Sequence, residues 1–218
     1  MCGRYTQTGK AEKVLVRFGV GQNTTLIQPR YNIAPGQNAP VIANDGGRSL
    51  RMMRWGLVPS WAKDPTIGHK MINARAETLA EKPSFKGLIG QRRCLVLADG
   101  FYEWRKEGKG KVPMRCTLRG GEPFSFAGLW DSWKKPAGGE LLSFAIITTQ
   151  ANGLLRPIHE RMPVILSKEG EEKWLDPDFK EVHELLVPYP AEMMEFYDVS
   201  KLVNSPRNDL PQCISPLS

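Results

Sequence analysis

No stretch of this 218-residue chain approaches eighteen uninterrupted apolar residues, which excludes a membrane-spanning helix. The first twenty residues carry Arg4, Lys10, Lys13 and Arg17 with no apolar block, so no secretory signal is expected. The four cysteines, at 2, 94, 116 and 213, never fall into CxxC spacing, and HExxH is missing. A zinc ribbon, a redox motif and a zinc hydrolase are therefore not expected, and no metal or cofactor is inferred. Unpaired thiols fit a reducing cytoplasm, with Cys94 and Cys116 read as core thiols. Repeats, low-complexity tracts and long linkers are lacking too, so the expectation is one domain spanning 1–218.

The formal net charge is +7, unevenly spread. Residues 170–218 hold ten acidic and four basic side chains, so the first 169 carry the whole positive excess. A basic body of this kind suits a polyanion, nucleic acid being the commonest. Arginines interleaved with aromatics in "RMMRWGLVPSW" favour a surface that tracks a strand.

"KAEKVLVRFG" predicts a short amphipathic helix closed by Gly19, and "SKEGEEKWL" a helix capped by Ser167. "ARAETLAEKPSFKGLIGQ", broken near Pro83, and "DFKEVHELL" also read as helical. "RYNIAPGQNAPVI" reads as a loop entering a strand near Val41, and "RSLRMMRWGLVP" as a strand stopped by Pro59. Further strands are expected in "RCLVLADGFYEW", "VPMRCTL", "FSFAGLW", "LLSFAIITT", "RMPVIL" and "MEFYDVSKLV". Strands in succession with peripheral helices imply an α+β fold on a largely antiparallel, barrel-like sheet.

Four places can carry chemistry. Cys2 becomes an amino terminus once Met1 is trimmed, and one residue then holds an α-amine and a thiol. An α-amine has a pKa of roughly 7.7–8.0, so much of it is a neutral nucleophile at physiological pH. It attacks an aldehyde to give a Schiff base, and the thiol closes a five-membered ring with high effective molarity. Gly3 leaves room for a bulky substrate. Glu103 shares a strand face with Phe101, where a carboxylate must be paired or functional. His159 lies between Pro157 and Pro163, flanked by Glu160 and Arg161, and suits proton transfer; a structural hydrogen bond is the alternative. His69 and His183 read as surface residues. In "MINARAET", Asn73 reads as donor and acceptor or as a helix cap, and Arg75 as a phosphate clamp or a surface ion pair.

"MCGRY", "YNIAPG", "RWGLVPSW", "NARAET", "ADGFYEW", "ITTQAN", "IHERMP" and "VNSPRND", in that order along nearly the whole chain, resemble the SOS-response-associated peptidase family. The resemblance implies a sensor of abasic sites in single-stranded DNA that forms a stable covalent crosslink and carries an autoproteolytic activity exposing the cysteine. It implies a mixed domain with a barrel-like sheet and a basic DNA-binding channel. The family's catalytic positions match Cys2, Asn73, Glu103 and His159, and its DNA contacts match Arg4, Arg75 and Arg161, with Thr148 and Trp61 as further contacts. With the chain starting at Met1, little beyond that methionine needs cleaving. The partner so implied is abasic single-stranded DNA at replication forks or single-strand/duplex junctions, met by a monomer in the cytoplasm or on the nucleoid. Two rivals stay open, an N-terminal-nucleophile amidohydrolase of the glutamine amidotransferase type and a non-catalytic single-stranded DNA-binding module. A dedicated peptidase is a third.

Overall fold

Most of the apolar runs are buried on both faces, and a closed ring of strands is the reason. The structure, a computed structural model, describes residues 2–21, 26–45 and 47–217. In chain order the elements are β1 (Tyr5–Gln7), α1 (Ala11–Phe18), β2 (Arg30–Ile33), β3 (Asn38–Ala43), β4 (Ser49–Trp55), β5 (Asn73–Arg75), β6 (Arg93–Ala98) and β7 (Gly100–Glu107). There follow β8 (Gly110–Leu118), β9 (Phe124–Lys134), β10 (Glu140–Gln150), β11 (Arg161–Pro163), β12 (Ile165–Leu166), α2 (Lys168–Leu175) and β13 (Met194–Asp198). Antiparallel pairs β4–β3, β3–β6, β6–β9 and β9–β10 form an arc. The parallel pair β10–β4, with Phe144 opposite Trp55, closes it into a five-stranded barrel. A second, antiparallel sheet runs β13-β8-β7-β1-β2. This is the α+β, largely antiparallel, barrel-like architecture that the sequence implies.

Period-two alternation sorts the barrel residues. Val41, Met53, Cys94, Val96, Phe126 and Phe144 meet in one cluster, which continues into the second sheet through Tyr5 and Phe101. The alternate residues Ile42, Leu95, Leu97, Leu129 and Ile147 face the other way, where α1 and α2 cover them with Leu15, Phe18 and Trp174. Such double coverage makes the strands read as unbroken apolar runs. Helix α1 ends at Gly19, whose φ of 61° is the left-handed cap expected of glycine. Helix α2 starts at Ser167, whose Oγ accepts from the Gly170 N–H at 3.1 Å.

Several expectations need correction. Residues 76–91 form no α-helix: β5 pairs with β10, a 3-10 turn follows at Ala76–Thr78, and turns lead on past Pro83, Gly87 and Gly90. "DFKEVHELL" holds one 3-10 turn, Val182–Leu185, between Pro177 and Pro188. "RMPVIL" is two strands, because Val164 donates to Ile147 of β10 and accepts from Ala127 of β9. "RYNI" is itself a strand, β2, paired with β1. "RCLVLADGFYEW" spans two sheets, β6 in the barrel and β7 in the second sheet.

The hand-over between β6 and β7 is tightly built. The Asp99 carboxylate accepts from Thr6 Oγ1 (2.5 Å), Thr8 Oγ1 (2.6 Å) and Arg115 Nη2 (2.9 Å). A Cβ on Gly100 would lie 2.7 Å from Arg115 Nε, so a larger residue there would push the Arg115 guanidinium off Asp99. A second tie joins the two ends of the chain. Asn32 Nδ2 donates to the carbonyls of Val203 (3.2 Å), Ser205 (3.0 Å) and Asn208 (2.7 Å), while Asp209 accepts from Arg30 and from the Asn32 N–H (2.9 Å).

Candidate active site

Cys2 is fully buried, where the second sheet meets the barrel interior. Next to it β1 packs Tyr5 edge-on against Trp55 (5.1 Å) and Phe126 (5.8 Å), which fixes the approach of the chain start to the barrel. The Cys2 carbonyl accepts from Asn73 Nδ2 at 2.9 Å, and this bond fixes which way the Asn73 amide points. Asn73 Oδ1 is buried and has no hydrogen-bond partner among the described residues. The Cys2 thiol lies 3.7 Å from the Arg4 carbonyl. Burial first, and then the negative charge of Glu103, push its pKa well up, so it stays protonated.

Glu103 reaches the site from β7, two residues past Phe101 on the same face, and is 4% exposed. Burial pushes its carboxyl up to about 7, against the pull of the positive charges at the amino terminus and at Lys111. It therefore exchanges a proton near neutral pH. His159 lies on the loop before β11 and is half-buried. Its Nδ1 accepts from the Arg161 main-chain N–H at 3.0 Å, which assigns the proton of the neutral ring to Nε2. Burial lowers the His159 pKa, as does the amino-terminal charge, so the ring is neutral at pH 7. That charge acts on Cys2, Glu103 and His159 alike.

Arg75, Thr148 and Arg161 come together through β10. Thr148 pairs with Arg75 of β5 on one side and with Pro163 of β11 on the other. Arg161 donates from Nη2 to the Thr148 carbonyl (2.6 Å) and from Nε to Thr148 Oγ1 (3.3 Å). Arg75 is exposed. Arg4 is half-buried and donates to Asn32 Oδ1 (2.9 Å) and to the carbonyls of Val203 (2.6 Å) and Asn204 (3.3 Å). Trp61 is 59% exposed, beside Lys63 and Lys70 in a cleft of about 310 Å³. Among the described residues no cluster of His, Cys, Asp and Glu could hold a metal ion, and no helix is long and apolar enough to cross a membrane.

Residues 1–206 match the family described as SOS response associated peptidase (SRAP). The chain belongs to this family. Among SRAP relatives, the abasic site processing protein YoqW of Bacillus subtilis is 48% identical over 223 residues, covering 98% of this chain and 99% of that protein. The abasic site processing protein HMCES of Gallus gallus is 40% identical over 226 residues, covering 87% of this chain and 67% of that protein. A crystal structure of a protein from Bacteroides thetaiotaomicron, 33% identical, superposes over all of both chains with a TM-score of 0.92. The SRAP blocks "MCGRY" and "NARAET" are thus the two sides of one hydrogen bond, Cys2 to Asn73. Sequence reasoning missed three residues that shape the surroundings of this site: Glu77, Asn32 and Asp99. Glu77 stands within "NARAET", but its partner Arg161 is 84 positions away.

Proposed function

We propose that this protein senses and shields abasic sites in single-stranded DNA by forming a covalent thiazolidine through Cys2. The observation that carries the reading is Cys2 pinned by Asn73 beside a buried glutamate that titrates near 7. The names of the relatives support it, YoqW and HMCES both being abasic site processing proteins.

An abasic deoxyribose opens to an aldehyde at C1′. His159 Nε2–H hydrogen-bonds the ring oxygen as the C1′–O bond breaks, acting as a neutral electrophile rather than an imidazolium. After Met1 is removed, the Cys2 amine adds to C1′ and gives a carbinolamine. Glu103 takes the proton from the added amine and returns it to the leaving hydroxyl, so water departs and a Schiff base remains. The thiol then adds to C1′, its proton passing to the nitrogen, and the net change is aldehyde plus aminothiol to thiazolidine plus water. Asn73 holds the Cys2 carbonyl, and its open Oδ1 accepts from the freed amine. A protonated thiol suits this amine-first order. The peptidase of the family name acts here on the Met1–Cys2 bond, as a cysteine-type autopeptidase.

Arg4, Arg75, Arg161, Thr148 and Trp61 line the DNA path, with phosphate contacts that weaken with salt and the exposed Trp61 ring stacking on a base. The protein acts as a cytoplasmic monomer, nucleoid-bound when on DNA, at exposed single strands such as those of forks and junctions.

An abasic single-stranded oligonucleotide should give a protein–DNA band that survives a denaturing gel, with intact mass showing Met1 lost. Cys2→Ala should abolish the band; a band of undiminished intensity from that variant would sink the mechanism.

A further inference from the structure

Arg161 does not present an open guanidinium to solvent. Its Nη1 and Nη2 donate to the two carboxylate oxygens of Glu77, at 3.1 and 2.9 Å. This is the bidentate geometry in which an arginine also takes a phosphate, with two oxygens received by one planar fork. The two partners are unequally accessible: the Glu77 side chain is 45% exposed and that of Arg161 only 16%. The carboxylate therefore stands on the solvent side, and an incoming strand meets it before it meets the arginine. Arg161 does not depend on Glu77 for its place, because Thr148 receives Nε and Nη2 from beneath.

Glu77 also neighbours the other arginine of this surface. It follows Arg75 by two residues, on the 3-10 turn that leaves β5, and the Arg75 charge acts on it together with that of Arg161. Arg75 is exposed and forms no ion pair among the described residues. A single carboxylate thus lies between two cations that are spaced by β10. An ion pair whose acidic side is open to water is screened by it, so another anion of the same shape can displace it.

We propose that Glu77 is a built-in stand-in for a DNA phosphate: it occupies the Arg161 fork in the free protein, gives it up when a strand binds, and so sets how tightly DNA is held before any covalent step. This rests on the reading of the surface as a single-stranded DNA path. It assigns Glu77 a part in affinity opposite in sign to that of its arginine neighbours.

The test is the binding of a labelled, undamaged single-stranded oligonucleotide, followed by fluorescence anisotropy across a salt series, for the wild type and Glu77→Gln. Without an abasic site no crosslink forms, so the readout is equilibrium binding. Glu77→Gln should bind about 5–10-fold tighter at moderate salt, and its plot of log K against log salt should steepen by about one. Glu77→Asp, which keeps the charge, should bind like the wild type. Unchanged or weaker binding by Glu77→Gln, with strong salt-dependent binding by the wild type, would overturn the proposal and make Glu77 a support for Arg161. If neither protein binds with salt dependence, the DNA reading falls and the proposal with it.

Discussion

Glu171 and Glu103 are buried to nearly the same degree, 2% and 4% exposed, in two different parts of the molecule. Glu171 sits on α2 against the outer face of the barrel. Arg17 of α1 donates to both its oxygens, at 2.8 and 3.1 Å, and Ser125 of β9 adds a third bond at 2.9 Å. Burial raises its pKa, and the arginine and the serine pull against that rise. Glu103 lies on β7 beside Cys2, where burial prevails and carries the carboxyl up to about 7. The difference teaches what burial is for in each place. In the first, a charge is compensated and ties a helix pair to the barrel; in the second, no arginine answers the burial and the carboxyl is left to titrate near neutral pH.

The largest effect should come from turning the first region into the second. Arg17→Ala leaves Glu171 buried without its cation and should cost about 3–5 kcal/mol, read from the urea midpoint at pH 7.5. That loss should shrink as the pH falls and Glu171 takes up a proton. If the loss stays below about 1 kcal/mol, Glu171 is not held as the distances suggest.

Next comes Glu103→Gln, which removes the exchangeable proton and keeps the shape. The crosslinking rate should drop by about 100-fold or more. Stability should move the other way, and its sign follows from linkage. The folded pKa of about 7 stands above the ordinary 4.5, so the stability that protonated Glu103 contributes is complete below 4.5 and is lost as pH rises toward 7. Glutamine has no such loss, so at pH 8 the variant should be the more stable protein by on the order of 3 kcal/mol, measured by denaturant unfolding at pH 4.5 and pH 8. An unchanged crosslinking rate would place Glu103 with Glu171 as a structural group. The smallest effect belongs to Ser125→Ala, which should cost about 1 kcal/mol, because Arg17 still holds Glu171.

Local signals were legible in the sequence wherever the chain solves its problem locally. Gly19 closes α1 and Ser167 opens α2 as read, since a cap needs only its own neighbours. The stretch 76–91 misled because its Ala, Glu and Leu favour a helix, while the pairing of β5 with β10 and the glycines at 87 and 90 decide otherwise. The division of "RCLVLADGFYEW" between two sheets was hidden because both halves are apolar, and the joint is marked only by Asp99 and Gly100. At the site, the cysteine, asparagine, glutamate and histidine were legible as ordered motifs, and Cys2 and Asn73 are now seen in contact. The hold on Arg4 and Arg161 was not legible, because their partners come from remote positions such as Val203 and Glu77.

The clasp built by Asn32 and Asp209 has a practical side. Residues 203–209 hold β2 and Arg4, and Arg4 is two positions from Cys2. Anyone trimming or tagging this protein at its far end is therefore working on the neighbourhood of its first residues. A deletion that reaches Asn204 or Asp209 would disturb Cys2 through the supports of its neighbours, and a loss of function in such a variant would not by itself mark a catalytic residue.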